Sequence, residues 1–478
     1  MSVLIDYSII NSECKIQISN FYFLHPDCSI FQPYPMITNT KSTCPGAAPN
    51  FRSPREKQRF RGCRLSLATA AGFVVALPAS AGLFTPGVVV VTAYGNVGNA
   101  ATNSLFSVGV PTPISLLEFS PSGAVGSAPL SIRTLPTADS GSNYGIVGEY
   151  GSSSEGTIQL SGDGRFLTLG GYGATASYAG AGGPAGGYSD ANGVKLAQST
   201  DASVPRVFAL IDAAGGVDSR TAVNNIYSRN NARSAYTQDG TMLYVAGQGT
   251  GTTDQGLYYS CVGTNTVANP GSGPTTIDNA VETRVTQIYQ GNLYYSTDKK
   301  NKATGIFEYS GMPTDPRQTA RQIIPANNGG SGDGQVNYSP EGFYFANATT
   351  LYVVDTGVPK NGGRGDGGIQ KWSYNGANWV LEYTLSNPQF IRAPAGGHGE
   401  TGFEAIAGRV VGTGPSARVE LFAVSYTLGD GDPDGLYTIT DSLAAAKDPG
   451  ETFTEMEASG PNRLFKGVAF APTAEPGM

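Results

Sequence analysis

Short apolar runs separated by turn residues recur along most of this chain. Five units consist of an apolar strand, a tight turn and a second apolar strand, at residues 157–169, 234–245, 285–295, 342–354 and 402–424. Asp-Gly or Gln-Gly occupies several of the turns. Either pair between apolar runs signals a β-hairpin, because glycine adopts the positive φ that a two-residue turn needs. The pattern therefore predicts paired antiparallel strands.

A third apolar strand follows each hairpin, and a weaker fourth strand usually follows the third. The third strands lie at residues 206–211, 256–260, 305–309, 368–373 and 435–439, and residues 379–383 are an example of a fourth. The units recur about every 50 to 75 residues, and four antiparallel strands in such a repeat are typical of the blades of a β-propeller.

The two ends of this repeat complement each other. Residues 466–472 have the pattern of a first strand with nothing after it, whereas 88–94, 115–119 and 130–133 look like three strands that lack a first. Joining the ends closes a ring and removes the exposed edges of an open sheet. We therefore predict an all-β fold, a β-propeller of six four-stranded blades closed by the C-terminal strand joining the N-terminal blade. Seven blades are the alternative if residues 138–155 hold a further strand pair.

The first 81 residues lack the strand repeat. A basic region at 52–64 precedes an apolar run at 65–77 and then Ala79-Ser80-Ala81, which is the order of a secretory signal. The apolar run is too short to span a bilayer. We interpret residues 1–51 as an extension from a start site assigned too far upstream, 52–81 as a signal peptide cleaved after Ala81, and 82–478 as a single propeller domain. The protein is then secreted, to the periplasm or the medium.

Composition and charge narrow the range of partners. Glycine accounts for 65 of the 478 residues and only 14% are charged, which suits short strands joined by turns. Removing the eight Lys and Arg and the four Asp and Glu of residues 1–81 leaves 22 basic and 33 acidic residues, a net charge of −11. Such a surface disfavours nucleic acid. We expect a monomer with no membrane span in the mature chain, whose partner is an extracellular polysaccharide or a cell-surface ligand.

Candidate chemistry lies in the long connections, which this strand order places on one face. Long ordered loops are typical of binding and catalytic sites. His398, the only histidine of the mature chain, lies in such a glycine-rich loop. Histidine titrates near neutrality, so His398 is a candidate general base or acid, or else a structural surface residue. Tyr150 and Tyr227 are further candidates for proton transfer.

Arginines in loops of the same face suggest recognition of a carboxylate, because a guanidinium binds carboxylates bidentately. Surface salt bridges are an equal alternative. Asp355 and Glu400 complete the set of candidate substrate-binding residues. The arginines of this set are Arg229, Arg233, Arg364 and Arg392.

The segment Asp430-Gly-Asp-Pro-Asp-Gly435 is the most specific short motif of the chain. Carboxylates at alternate positions followed by glycine are how a loop wraps Ca²⁺, so Asp430, Asp432 and Asp434 are predicted metal ligands. The segment departs from an EF-hand because no helices flank it and Pro433 interrupts it. A solvated acidic turn is the alternative, and no motif indicates an organic cofactor.

Several longer motifs carry a family resemblance, over residues 83–472. They are Leu-Phe-Thr-Pro-Gly at 83–87, Ser-Gly-Asp-Gly-Arg-Phe-Leu at 161–167, Gly-Gly-Ile-Gln-Lys-Trp-Ser at 367–373 and Phe-Lys-Gly-Val-Ala-Phe-Ala-Pro at 465–472. The chain resembles secreted bacterial β-propeller proteins of uncharacterised activity, which implies the fold and export and no particular reaction. Leu-Tyr-Val-Val-Asp at 351–355 is also similar to propeller phytases, although their Asp-Asp-Pro-Ala motif is absent here. Propeller polysaccharide lyases offer an analogy of fold and site chemistry.

These observations favour an extracellular enzyme on acidic, uronate-containing polysaccharide, most simply a polysaccharide lyase. In that hypothesis a cation neutralises the uronate carboxylate, and His398 or a tyrosine moves the proton at C5. A hydrolase that uses paired carboxylates, with Glu149, Asp355 and Glu400 as candidates, or a phytase-like phosphatase is one alternative. A propeller that binds polysaccharide or protein without catalysis is the other. The sequence leaves open whether the protein is an enzyme.

Overall fold

The computed structural model describes residues 7–10, 13–16, 83–95, 106–174, 195–298, 304–325, 339–357, 367–391 and 398–475. The chain divides into two units, Met1–Ser80 and Ala81–Met478. In the first unit, the described residues form one antiparallel pair, β1 (Tyr7–Ile10) and β2 (Glu13–Ile16). Residues 52–81, predicted to be a signal peptide, lie outside the described residues.

The described part of the second unit consists of strands joined by turns and loops. In chain order the strands are β3 (Val89–Gly95), β4 (Pro111–Phe119), β5 (Ser131–Thr134), β6 (Val147–Glu149), β7 (Ile158–Leu160), β8 (Phe166–Tyr172), β9 (Arg206–Asp212), β10 (Val217–Val223), β11 (Ala232–Tyr236), β12 (Met242–Gly247), β13 (Gly256–Cys261), β14 (Thr275–Asp278), β15 (Thr286–Tyr289), β16 (Asn292–Thr297), β17 (Gly305–Tyr309), β18 (Arg321–Ile324), β19 (Pro340–Asn347), β20 (Thr350–Asp355), β21 (Gly368–Tyr374), β22 (Trp379–Leu385), β23 (Glu400–Val411), β24 (Arg418–Thr427), β25 (Gly435–Ser442), β26 (Thr454–Ala458) and β27 (Arg463–Phe470). Single turns of 3-10 helix occur at Leu196–Gln198 and Gly414–Ser416.

Most of these strands pair with their neighbours in sequence. Strands β11–β14, β15–β18, β19–β22 and β23–β26 each form a four-stranded antiparallel sheet in chain order. The remaining strands form a larger sheet, in which β27, β3, β4 and β5 are one group and β7 to β10 another, joined by β6 between β4 and β8. The prediction of an all-β fold built on four-stranded antiparallel units is therefore confirmed in the described part of the chain.

The last described strand belongs with the first strands of the second unit. β27 pairs antiparallel with β3, from Arg463 opposite Gly95 to Phe470 opposite Val89. Residues 138–155, where a seventh blade would need a strand pair, contain only the strand β6 and an isolated bridge between Ser140 and Asn143. The first strands of neighbouring groups touch, β7 with β27 and β11, and β23 with β19 and β27.

Sheets pack against each other through both faces of their strands. Because successive side chains of a strand point to opposite sides, Val90 joins a core cluster that contains Leu167, whereas Val91 joins a different cluster that contains Phe422. Each strand between two sheets must therefore be apolar on both sides. Among the described residues, no helix is long and apolar enough to cross a membrane.

Candidate functional site

His398, the predicted catalytic histidine, precedes β23 and contacts the connection between β24 and β25, residues 428–434. Asp432 Oδ1 lies 2.6 Å from His398 Nδ1, and Asp432 Oδ2 accepts hydrogen bonds of 2.9 Å from the backbone N–H groups of Gly399 and Gly429. The His398 side chain is 88% exposed, whereas that of Asp432 is 9% exposed. A buried carboxylate thus fixes one nitrogen of an imidazole whose remaining ring atoms face solvent.

The electrostatics of Asp432 favour a defined tautomer of His398. Burial alone would raise the pKa of Asp432, but hydrogen bonds from His398, Gly399 and Gly429 outweigh it and lower the pKa below its ordinary value. An ionised carboxylate only accepts hydrogen bonds, so the proton between the two groups sits on Nδ1. In the neutral form of this imidazole, Nε2 then carries a lone pair on the exposed side, which is the arrangement of a general base oriented by a carboxylate.

The three aspartates of the predicted calcium loop each have a different partner and do not converge on one point. Asp432 binds His398, and Asp430 lies 4.0 Å from the ammonium of Lys195. Asp434 is buried and accepts a 2.8 Å hydrogen bond from the backbone N–H of Phe465. No group of three or more His, Cys, Asp or Glu side chains in the described residues is arranged to hold a metal ion. The carboxylates of Asp430, Asp432 and Asp434 alternate along the sequence, but they do not point to a common position in space.

A pocket of about 220 Å³ adjoins this loop. Its wall contains the carboxyl groups of Glu149 and Asp430 and the cations Lys195 and Arg229. Glu149 ends strand β6, and the other three residues come from three different connections between strands. Ser152, Gln198 and Asn231 supply neutral polar groups. Asp430 stands two residues before Asp432, so the pocket and the His398–Asp432 pair share one loop. The predicted residues Arg229, Asp430, Asp432 and His398 are thus brought to one part of the molecule.

The backbone at Arg229 is strained in a way that presents its side chain. Arg229 has φ 56°, in the left-handed region that residues other than glycine rarely adopt. The Arg229 N–H donates to the Ser199 carbonyl at 2.9 Å, which holds this conformation. The Arg229 side chain is exposed at the pocket.

A second carboxylate lies behind Glu149. Glu155 accepts hydrogen bonds from the Glu149 backbone N–H at 3.1 Å, the Tyr172 hydroxyl at 2.6 Å and the Asn231 amide at 2.5 Å. Burial, and next the charge of Glu155, raise the pKa of Glu149 to about 8, against the opposing hydrogen bond from the Ala197 N–H. Near neutral pH Glu149 is therefore a neutral acid at the pocket wall that can donate a proton or a hydrogen bond.

The raised pKa of Glu149 predicts a pH dependence of stability. The folded protein keeps the Glu149 proton to a higher pH than the unfolded chain does, because in the unfolded chain the pKa of this carboxyl is near its ordinary value of 4.5. The free energy of unfolding should therefore fall as pH rises from about 4.5 towards 8, by a few kcal/mol in this group. Glu149→Gln copies the neutral form, so we expect thermal melting at pH 5 and pH 8 to differ less in this variant than in the wild type. Glu475→Gln, at an exposed position, is the control, and an equal pH dependence in all three proteins would contradict the shift.

Three residues predicted for this face are instead buried structural residues. Tyr227 is fully buried, and its hydroxyl donates to the carbonyls of Val245 and Gly256 at 2.9 Å, so no substrate reaches it. Arg233 is buried and bonded to Gln248, Glu282 and the Thr283 carbonyl. Asp355 is fully buried and accepts backbone N–H groups of Ser339 and Gly357 at 2.9 Å. Each of these predictions is corrected, because loop position did not guarantee exposure.

Tyr150 and Glu400 lie in partly closed surroundings. Tyr150 is 5% exposed, its ring stacks on Phe106 with centroids 5.5 Å apart, and burial raises its pKa. Glu400 is half-buried and accepts hydrogen bonds from the hydroxyls of Ser425 and Tyr437. Neither geometry favours a proton acceptor open to substrate. Arg364 and Arg392 lie outside the described residues.

Comparison with known proteins gives distant similarities of structure only. No protein-family model and no curated protein matches the chain. TolB from Acinetobacter baumannii is 9% identical, over 79% of this chain and 67% of that chain, with a TM-score of 0.33. An ulvan lyase of the polysaccharide lyase family PL25 is 13% identical, over 78% and 86%, with a TM-score of 0.31. AztD from Citrobacter koseri is 8% identical, over 79% and 98%, with a TM-score of 0.25. TM-scores this low carry no argument about function, which rests on the residues above.

Proposed function

We propose that this protein is a secreted, six-bladed β-propeller enzyme that cleaves acidic, uronate-containing polysaccharide by elimination. The ring would be completed by the β27–β3 pairing, with the long connections forming the substrate face. The observation that carries the proposal is the exposed His398 imidazole, whose Nδ1 lies 2.6 Å from Asp432 Oδ1. Asp432 belongs to the same loop as Asp430, which lines a pocket together with Lys195 and Arg229.

The chemistry of elimination matches the groups of this site. Lys195 and Arg229 would bind the uronate carboxylate, whose neutralisation makes the C5 proton more acidic. His398 Nε2 takes that proton, the electron pair left on C5 forms the C4–C5 double bond, and the C4–O bond breaks. The leaving oxygen takes a proton from Glu149, which is neutral near pH 7 because its pKa is about 8. Glu149 then regains a proton from solvent, and His398 Nε2 releases the C5 proton to solvent, so both groups return to their starting forms.

The proposal is tested by incubating the full chain with a panel of uronate polysaccharides and following the ultraviolet absorbance of the C4–C5 double bond. A rise with at least one member of the panel is the expected result. New reducing ends without that absorbance would replace elimination by hydrolysis, for which the Glu149–Glu155 pair is the candidate. Retention on the polysaccharide without cleavage would make the protein a binding module, and both results would overturn the lyase proposal.

Arg229 should determine affinity for the acidic sugar. Losing a charge-assisted hydrogen bond costs about 1.5–3 kcal/mol, so we expect Arg229→Gln to raise KM about 10- to 100-fold. Neutral polysaccharide should be bound equally by both proteins. Arg317→Gln is the matched control, because Arg317 is exposed in the β17–β18 connection and pairs with Asp315. An unchanged KM in Arg229→Gln would show that Arg229 does not bind the substrate.

A further inference from the structure

A buried arginine, Arg206, contacts the connections that form the wall of the pocket. Arg206 is the first residue of β9 and is fully buried. The central carbon of its guanidinium, Cζ, lies 4.8 Å from the centroid of the Tyr172 ring, on the neighbouring strand β8. A guanidinium carries five N–H donors and a permanent charge, so its burial costs free energy unless acceptors surround it. The positions of those acceptors show what Arg206 holds in place.

Part of the guanidinium binds the connection between β8 and β9. Nη1 donates to the Val204 carbonyl at 2.7 Å and to the Ser199 hydroxyl at 3.1 Å, and Nη2 donates to the Ser199 carbonyl at 2.8 Å. The same connection contains Lys195 and Gln198, which line the pocket. Arg206 therefore fixes the segment that presents the first pocket cation.

The other part of the guanidinium binds the connection between β10 and β11. Nε donates to the Tyr227 carbonyl and Nη2 to the Asn230 carbonyl, each at 3.1 Å. These two carbonyls flank Arg229, whose backbone has φ 56° and whose N–H donates to the Ser199 carbonyl. Because the carbonyls on both sides of Arg229 bind one cation, the strained backbone between them is supported. The same guanidinium thus holds the segment that presents the second pocket cation.

Glu149 is tied to this arrangement through one backbone group. The Ala197 N–H donates to Glu149 Oε2 at 2.5 Å. Ala197 belongs to the single turn of 3-10 helix Leu196–Gln198, in the connection that Arg206 binds. A shift of this turn would move the donor that holds the Glu149 carboxyl. Arg206 therefore acts on the proposed proton donor as well as on the two cations.

We propose that Arg206 is a positioning residue, which sets the relative positions of Lys195, Arg229 and Glu149 without touching the substrate. The choice of a uronate as the ligand rests on the proposed function, whereas the contacts of Arg206 are internal to the chain. Lysine cannot replace this arginine, because a single ammonium with three donors does not span acceptors that a planar fork of five donors reaches. Arg206→Lys thus keeps the buried charge and removes the link between the two connections.

The first test is hydrogen exchange of the full chain, measured by mass spectrometry of its peptides. We expect Arg206→Lys to speed exchange about 10-fold at residues 196–204 and 225–231, with other segments unchanged. Ser199→Ala removes one acceptor of Nη1 and should give a smaller change at 196–204. Arg133→Lys is the matched control, because the Arg133 guanidinium is 11% exposed, binds a carboxylate on β4 and does not line the pocket.

The second test measures whether Arg206 acts through the pocket cations. On the uronate polysaccharide that the wild type cleaves, Arg206→Lys should raise KM about 10-fold. Added to Arg229→Gln, the same substitution should raise KM by a smaller factor than it does alone, because one of the side chains that it positions is already absent. Equal factors in the two backgrounds would overturn the positioning of Arg229.

Hydrogen exchange decides this proposal separately from the lyase assay. Unchanged exchange at both connections in Arg206→Lys would overturn the positioning role. Faster exchange spread over β8 to β11 would also overturn it, because Arg206 would then stabilise the whole group of strands. If Arg206→Lys does not fold, Ser199→Ala decides by the same two criteria. Faster exchange confined to the two connections, with no cleavage by the wild type, would support the positioning role and overturn only the lyase proposal.

Discussion

Replacing His398 by asparagine should lower the rate of double-bond formation on uronate polysaccharide by about 10²–10⁴-fold, the usual contribution of a general base. Asparagine keeps a polar side chain of similar reach but cannot accept a proton at neutral pH. Since the His398 side chain is 88% exposed and makes one side-chain hydrogen bond, to Asp432, the substitution should leave the fold intact. Initial rates at saturating and at low substrate separate kcat from KM, and we expect the loss in kcat.

Asp432 acts through His398, so its variant has a distinct signature. Asp432→Asn can accept a hydrogen bond from Nδ1 but can also donate one, which permits the tautomer with Nε2 protonated. We expect kcat to fall with KM unchanged, and melting to show a stable protein. Asp448→Asn, at an exposed position of the β25–β26 connection, is the control. Full turnover in His398→Asn would show that the exposed imidazole is not the base.

The strand repeat was readable from sequence because it is a local property. Hairpin turns such as Asp239-Gly240 and the alternation of apolar residues depend on neighbours in the chain. Even the β27–β3 pairing followed from local patterns, since one end of the chain had a spare first strand and the other end lacked one. The role of residues 138–155 was not readable in this way, since β6 pairs with β4 and β8, which are distant from each other in the chain.

The site was predicted less completely because its contacts are long-range. His398 stood out as the only histidine of residues 82–478, but its partner Asp432 looked like a calcium ligand from the spacing of residues 430–434. What separates these aspartates is the packing of the loop. Asp434 turns inwards because the N–H of Phe465, on β27, offers it a hydrogen bond. Sequence spacing contains no trace of a contact 31 residues away.

Burial of polar loop residues was the other source of error. Tyr227 has φ 57°, and its ring packs edge-on against Phe208 and Tyr258 in the core, although its segment reads as a polar loop. The sequence did not predict a role for Glu155 for a related reason. Its role depends on Tyr172 and Asn231, which belong to other elements and meet it only in the folded chain. Residue type alone therefore does not predict exposure where a loop folds back on the sheets.

Replacing Asp441 by alanine should lower the free energy of unfolding by about 3–5 kcal/mol, the range for removing one partner of a buried ion pair. Asp441 lies 3.0 Å from the ammonium of Lys371, and the two side chains are 0% and 1% exposed. Its carboxylate also accepts the hydroxyls of Tyr352 at 2.5 Å and Tyr383 at 2.7 Å. Three buried groups therefore lose their acceptor together, and Lys371 keeps only neutral oxygens.

The measurement is denaturant unfolding of the wild type, Asp441→Ala and the matched variant Asp315→Ala, whose carboxylate pairs with the exposed Arg317. Exposed ion pairs contribute little to stability because solvent screens them, so the control should unfold close to the wild type. If the free energy of unfolding falls no further in Asp441→Ala than in the control, water must reach Lys371. The difference between the two variants thus measures burial, because the same carboxylate is removed from an ion pair in both.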